Sequence, residues 1–147
     1  EGEVPSCLAW AHVNRSTLLR VPGYRPHRAD ACRIELRSPD PAANPYLAFA
    51  VMLAAGLAGI EEELEPAAPI EDANLFTLSR DAASEAGLSF LPANLGEAVD
   101  RFEASELMKA TLGEHIHSYL VKTKRAEWMD YLRHVSAWEL DRNLAVL

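Results

Sequence analysis

Six of the 14 basic side chains in this 147-residue sequence are arginines that lie between positions 15 and 37. Only Asp30 and Glu35 oppose them, so the segment is positive within a chain of net charge −8. A guanidinium group donates paired hydrogen bonds to a carboxylate or a phosphate. The segment is therefore a candidate site for an anionic ligand; a solvated basic edge and ion pairs with acids elsewhere in the chain are the alternatives. The arginines are Arg15, Arg20, Arg25, Arg28, Arg33 and Arg37.

Residues 32–37 alternate between apolar and charged side chains, which is the pattern of a β-strand with two different faces. The apolar face begins with Cys32, which we expect to be a small core residue. The charged face carries Arg33, Glu35 and Arg37. Because side chains two positions apart on a strand are neighbours, the two guanidinium groups should favour the ionised form of the carboxyl group between them.

A second strand is predicted at residues 13–21, and a loop rich in Pro and Gly joins it to the strand at 32–37. If this strand were regular, Arg15 and Arg20 would point to opposite faces of the sheet. Either Arg15 precedes the strand proper or a bulge intervenes. The sequence therefore predicts a short strand pair that places several arginines close together.

Residues 45–60 carry no charge, and their apolar side chains recur at helical spacing nearly all round the helix. The run is shorter than the roughly 20 residues that a membrane-spanning helix needs, so we expect a helix buried in the protein interior. Asn44 is the expected N-cap, with Pro45 in the first helical position.

A loop at 66–92, an amphipathic helix at 95–108 and a helical region from 115 onward complete the prediction. The fold class is therefore α+β: a short antiparallel strand pair near the N-terminus, followed by a mainly α-helical region.

The composition argues against several classes of protein. The net charge of −8 disfavours nucleic-acid and anionic-membrane partners, and the sequence contains neither standard glycine-rich phosphate-binding motif. Two cysteines are too few for a disulfide framework. The acidic first residues do not resemble a signal peptide, so we expect a cytoplasmic location. Because the first residue is not Met, we expect the chain to be part of a longer one.

Three blocks of the sequence, in order, resemble the glutamine synthetase family. Residues 14–22 (NRSTLLRVP) resemble the family's N-R-S-x-x-x-R-[VI]-P block, and residues 33–37 (RIELR) resemble its R-I-E-x-R strand. Residues 38–50 (SPDPAANPYLAFA) are similar to the segment that follows, at the expected spacing. Residues 74–76 and 135–139 also fit. Each block alone is a weak signal, but the three together are highly specific.

The resemblance implies an ATP-dependent ligase of nitrogen metabolism that joins ammonia or another amine to the γ-carboxylate of glutamate through γ-glutamyl phosphate. It implies a catalytic role for Arg15, which would contact both glutamate and the phosphates. Arg20 and Arg33 would contact the nucleotide phosphates, and Arg37 would bind glutamate. Glu35 would be a ligand of Mg²⁺ or Mn²⁺.

The resemblance also implies the domain organisation. Residues 1–147 would be the C-terminal portion of the catalytic domain, with strands of the active-site sheet at 1–40 and a helical part at 41–147. The family's other metal ligands and its ammonia site lie upstream, and its active sites form between subunits of a homo-oligomer. We therefore expect this chain alone to be inactive and to expose an apolar sheet edge that favours aggregation.

Two departures from the family pattern affect regulation and nucleotide binding. Phe76 stands where some bacterial members carry a modifiable Tyr, which excludes nucleotidylation at this position. Residues 30–32 lack the basic residue that many members place before the second block, and Arg28 is a candidate replacement.

Two other functions are weighed against the ligase. The first is a catalytically silent module used for assembly or regulation, which would have no reason to retain a charged strand face. The second is an unrelated anion-binding helical domain, which would require the three blocks to arise by chance.

Overall fold

The computed structural model describes residues 4–23, 27–28 and 32–144, and the chain divides into two compact units, Glu1–Leu91 and Pro92–Leu147. Over the described residues, three short strands precede five helices, which confirms the α+β prediction. The elements are β1 (Trp10–Ala11), β2 (Leu19–Arg20), β3 (Glu35–Leu36), α1 (Pro45–Glu61), α2 (Arg80–Glu85), α3 (Leu95–Glu103), α4 (Glu106–Arg133) and α5 (Ala137–Asn143).

The sheet of the first unit has β2 in the middle, parallel to β1 and antiparallel to β3. The β2–β3 pair confirms the predicted antiparallel strands, whereas β1 was not predicted. In the register of this pair, Arg20 lies directly opposite Glu35, and Leu19 lies opposite Leu36. Residues directly opposite each other share one face of a sheet, so the backbone itself brings these two charges together.

The strand predicted at 13–21 was too long, because its first part forms a turn and only β2 is extended. The physical reason lies in the side chains of this turn. The backbone N–H of Ser16 donates to Asn14 Oδ1 (2.9 Å), and the Thr17 hydroxyl donates to the Asn14 carbonyl (3.0 Å). Such local bonds offer the backbone an alternative to strand pairing. Arg15 therefore precedes the strand.

A small apolar core joins the N-terminal segment to residues far along the chain. Cys7, Ala9 and Leu75 form its buried centre, and Cys7 also pairs with Phe90 in an isolated antiparallel bridge. The short helix α2 lies within the segment 66–92 that was predicted to have little regular structure. Partly buried side chains close the core: Ile70, Leu78, Leu88 and Phe90.

The N-cap prediction for α1 is confirmed, since the Asn44 side chain accepts hydrogen bonds from the first helical turn. The prediction that this helix is buried was wrong: none of its residues is buried, and Phe49 is 68% exposed. Cys32, expected in the core, is also exposed, as is Ile34 on the same strand face. Both the helix and the strand face are exposed because no other element in the described part of the chain covers their apolar side chains.

In the second unit, α3 packs against α4, and Gly96 lies so close to the Trp128 indole that a Cβ there would clash with it. The helix predicted at 95–108 is interrupted, because Ser105 caps the start of α4. Gly113, predicted as a break, has non-helical backbone angles inside α4. Among the described residues, no helix combines the length and the apolar character that crossing a membrane requires.

Candidate active site

The Glu35 carboxylate on β3 lies between two guanidinium groups. Arg20 Nη1 donates to its two oxygens at 3.2 and 3.0 Å, and Arg33 approaches Oε1 with Nε at 3.0 Å and Nη2 at 2.8 Å. Hydrogen bonds from Arg20 and then from Arg33 hold the pKa of Glu35 below its ordinary range. The site therefore contains a carboxylate that stays ionised at neutral pH.

The lowered pKa predicts how this cluster responds to acid. Because Glu35 binds its proton more weakly in the folded chain than in the unfolded one, its contribution to stability is complete above the ordinary carboxyl pKa. That contribution is lost as the pH falls through the lowered value. A titration of the Glu35 side-chain carbon by NMR is expected to give a midpoint below that of an unperturbed glutamate. A midpoint at or above the ordinary value would contradict the pairing.

The turn that carries Arg15 is fixed by Asn14. Its Nδ2 donates to the carbonyls of Ile70 (2.9 Å) and Ala73 (2.8 Å), and its Oδ1 accepts from both the backbone and the hydroxyl of Ser16. These bonds join the turn to a segment more than fifty residues away in sequence. The backbone of the turn at Arg15 is thus held by these side-chain hydrogen bonds and not by strand pairing.

The buried Ser16 is predicted to be the residue of this network whose loss costs most stability. Its hydroxyl donates to Asn14 Oδ1 (2.7 Å) and accepts from the backbone N–H of Leu75 (3.0 Å). Ser16→Ala leaves that buried N–H without its partner, so we expect the free energy of unfolding to fall by about 1–3 kcal/mol. Denaturant unfolding measures this free energy, and Ser89→Ala, which removes the hydroxyl of an exposed serine, is the control. Equal stability of the two variants would contradict the prediction.

Arg37 connects the turn to the end of β3, because its Nη1 donates to the backbone carbonyls of Arg15 and Thr17. Arg15, Arg20 and Arg37 line a single cavity of about 410 Å³. Neither Arg33 nor Glu35 is among the lining residues; Arg33 is bound to the Glu35 carboxylate. Three predicted arginines thus converge on one space, which suits an anionic ligand. The rest of the lining is Pro5, Val13 and Phe76.

Glu35 is suited to be one of the ligands of a divalent cation, because its carboxylate is ionised and its side chain is 30% exposed. Mg²⁺ takes its protein ligands from oxygen atoms and usually needs more than one group. No cluster of three or more His, Cys, Asp or Glu side chains occurs in the described ranges. The residues present therefore fit part of a metal site.

Sequence reasoning missed Glu71, which contacts the two residues immediately before the turn that begins at Asn14. Its carboxylate accepts from the backbone N–H of His12 (2.9 Å), from His12 Nδ1 (2.7 Å) and from the backbone N–H of Val13 (3.2 Å). The bond from the His12 backbone, followed by the one from its ring, lowers the pKa of Glu71. No periodicity connects residues 59 positions apart, so the sequence carried no signal for this contact.

The sequence model of the glutamine synthetase catalytic domain matches residues 1–143. Glutamine synthetase from Mycolicibacterium smegmatis is 44% identical over 145 residues, which are 99% of this chain and 32% of that protein. The enzyme of the same name from Methanosarcina mazei is 46% identical, with the same two shares covered. The chain thus spans about a third of the length of these curated relatives.

A solved structure of apo GmaS without ligand superposes on the chain with a TM-score of 0.75 at 37% sequence identity. The match covers 96% of this chain and 30% of that one. Both the sequence blocks and the fold therefore agree with one family, over nearly the whole chain. The chain belongs to the glutamine synthetase family.

Proposed function

We propose that this chain is the C-terminal part of the catalytic domain of an ATP-dependent ligase. The ligase joins ammonia or another amine to the γ-carboxylate of glutamate through γ-glutamyl phosphate. The observation that carries the proposal is the convergence of Arg15, Arg20 and Arg37 on one cavity, with Arg20 also paired to the ionised Glu35. Phosphorylating a carboxylate and then displacing the phosphate develops negative charge, which fixed cations stabilise. Membership of the family supports the same reaction.

Each side chain has a proposed role in this reaction. Arg15 contacts the glutamate and the phosphoryl group in transfer, and Arg37 contacts the glutamate. Arg37 is suited to this, because its Nη1 is held by the backbone while Nε and Nη2 have no partner among the described residues. Arg20 and Arg33 contact the phosphates of ATP.

Glu35 is the proposed metal ligand of this chain, for Mg²⁺ or Mn²⁺. When bound, the cation supplies Lewis acidity toward the phosphoryl oxygens. Since one carboxylate does not make a complete site, the other ligands and the amine pocket belong to parts of the homo-oligomeric protein outside this chain. The chain alone is therefore inactive in this proposal, and its partners are small molecules rather than nucleic acid or membrane.

The test is phosphate release by the longer protein in the presence of glutamate, ATP and Mg²⁺, first with ammonia and then with a panel of amines. The 147-residue chain is measured beside it. Release by the longer protein alone supports the ligase, and the best amine identifies the second substrate. No release from either sample, with every substrate saturating, would favour the catalytically silent assembly or regulatory module.

A further inference from the structure

Glu71 clamps the backbone immediately before the turn that carries Arg15. One oxygen of its carboxylate accepts from both the backbone N–H and the ring of His12, and the other accepts from the backbone N–H of Val13. Hydrogen bonds to an ionised acceptor are stronger than those between neutral groups. The clamp thus fixes two successive peptide units.

The clamped backbone in turn holds Arg20. The carbonyl of His12 accepts a hydrogen bond from Arg20 Nε at 3.3 Å, and Nη1 of the same guanidinium donates to both oxygens of the Glu35 carboxylate. A continuous series of contacts therefore runs from Glu71 through the backbone of His12 to the arginine and then to the carboxylate. Removing the first member frees the carbonyl that orients the guanidinium.

The same segment also holds the other side of the Arg15 turn. The carbonyls of Ile70 and Ala73, on either side of Glu71, both accept from the Asn14 side chain. The loop at 70–73 thus packs against the Arg15 turn, and Glu71 makes the charged hydrogen bonds of this contact. Its neighbour Asp72 is exposed and makes none of these bonds.

We propose that Glu71 is a positioning residue for the arginine cavity. By fixing the backbone at His12 and Val13, it keeps the Arg20 guanidinium on Glu35 and aims Arg15 into the cavity. Glu71 itself does not line the cavity, so it acts through these residues and not on the substrate. The consequence for catalysis rests on the ligase function proposed above.

The kinetic test compares Glu71→Ala and Glu71→Gln with Asp72→Asn in the longer protein. We expect kcat for phosphate release to fall about 100-fold in the alanine variant and about 10-fold in the glutamine variant, the range typical of losing an outer-shell partner of a metal ligand such as the proposed ligand Glu35. Glutamine retains one acceptor oxygen, which explains the smaller loss. Asp72→Asn removes the same charge one residue away and should leave kcat unchanged.

The division between kcat and KM separates positioning from general destabilisation. If Glu71 only stabilised the fold, the thermal midpoint would fall while the folded fraction kept its kcat. Positioning predicts the reverse for Glu71→Gln: a lower kcat, with the KM for the amine and the thermal midpoint close to those of the wild type. A wild-type kcat in Glu71→Gln, or an equal loss in Asp72→Asn, would overturn the proposal.

Crystal structures of the wild type and Glu71→Gln provide a measurement that does not depend on activity. We expect the Arg20–Glu35 contact to be retained in the wild type and lengthened or lost in the variant. If the wild type released no phosphate, the proposed ligase function would be wrong. The Arg20–Glu35 distance in the two crystal structures would still test whether Glu71 positions Arg20. An unchanged contact in the variant would overturn the positioning role.

Discussion

Glu35→Gln in the longer protein is expected to lower Mg²⁺-dependent phosphate release about 100- to 1,000-fold, the order of loss when one preorganised charge contact at a reacting centre is removed. The variant keeps the size of the side chain but removes the charge that a divalent cation requires. It also leaves Arg20 and Arg33 without the carboxylate that they share. Glu65→Gln, which changes an exposed glutamate to the same residue, is the control.

Two roles of Glu35 make different predictions for the metal dependence of the remaining activity. If Glu35 is a metal ligand, the Mg²⁺ concentration for half-maximal phosphate release should rise in Glu35→Gln, and excess Mg²⁺ or Mn²⁺ should partly restore the rate. If Glu35 serves only to orient Arg20 and Arg33, the maximal rate should fall while the Mg²⁺ dependence stays the same. Phosphate release measured over a range of Mg²⁺ concentrations separates the two. Unchanged turnover at every concentration would rule out both roles.

The spacing along one alternating strand predicted that both Arg33 and Arg37 would flank Glu35. Arg33 does pair with Glu35. The Arg37 guanidinium instead donates to the backbone carbonyls of Arg15 and Thr17. The pairing of Glu35 with Arg20 could not be predicted. It depends on the register in which β2 meets β3, and a shift by one residue would move Arg20 to the other face. The sequence therefore indicated the members of the charged cluster but not how they share one carboxylate.

Burial was the property that sequence patterns predicted least well. Periodicity identifies which residues are apolar and which face they occupy, but it does not identify what covers that face. The apolar α1 and the strand face at Ile34 are exposed for this reason, although their composition is that of interior elements. The strand prediction at 13–18 was wrong for a different reason. Hydrogen bonds from Ser16 and Thr17 to Asn14 stabilise a turn there in place of an extended strand.

Arg15→Ala is expected to separate function from stability more cleanly than any other change in the cavity. Its guanidinium makes no hydrogen bond or ion pair with the residues that the structure describes, although its backbone carbonyl accepts from Arg37. Losing the side chain should therefore change the free energy of unfolding by no more than about 0.5 kcal/mol, as for other exposed positions. Phosphate release should nevertheless fall about 100- to 1,000-fold, because the unpaired guanidinium is available to the developing negative charge.

Arg15→Lys tests which property of this side chain the reaction uses. Lysine keeps the positive charge but lacks the planar fork that binds two oxygens at once, so a loss nearly as large as that of Arg15→Ala would indicate bidentate contact with phosphate or carboxylate. Recovery of most of the activity would indicate that charge alone is sufficient. Arg101→Ala, which removes an exposed guanidinium from α3, is the control for a simple change in net charge. If Arg15→Ala retained as much activity as this control, Arg15 would have no catalytic role, and the cavity would have to act through Arg20 and Arg37.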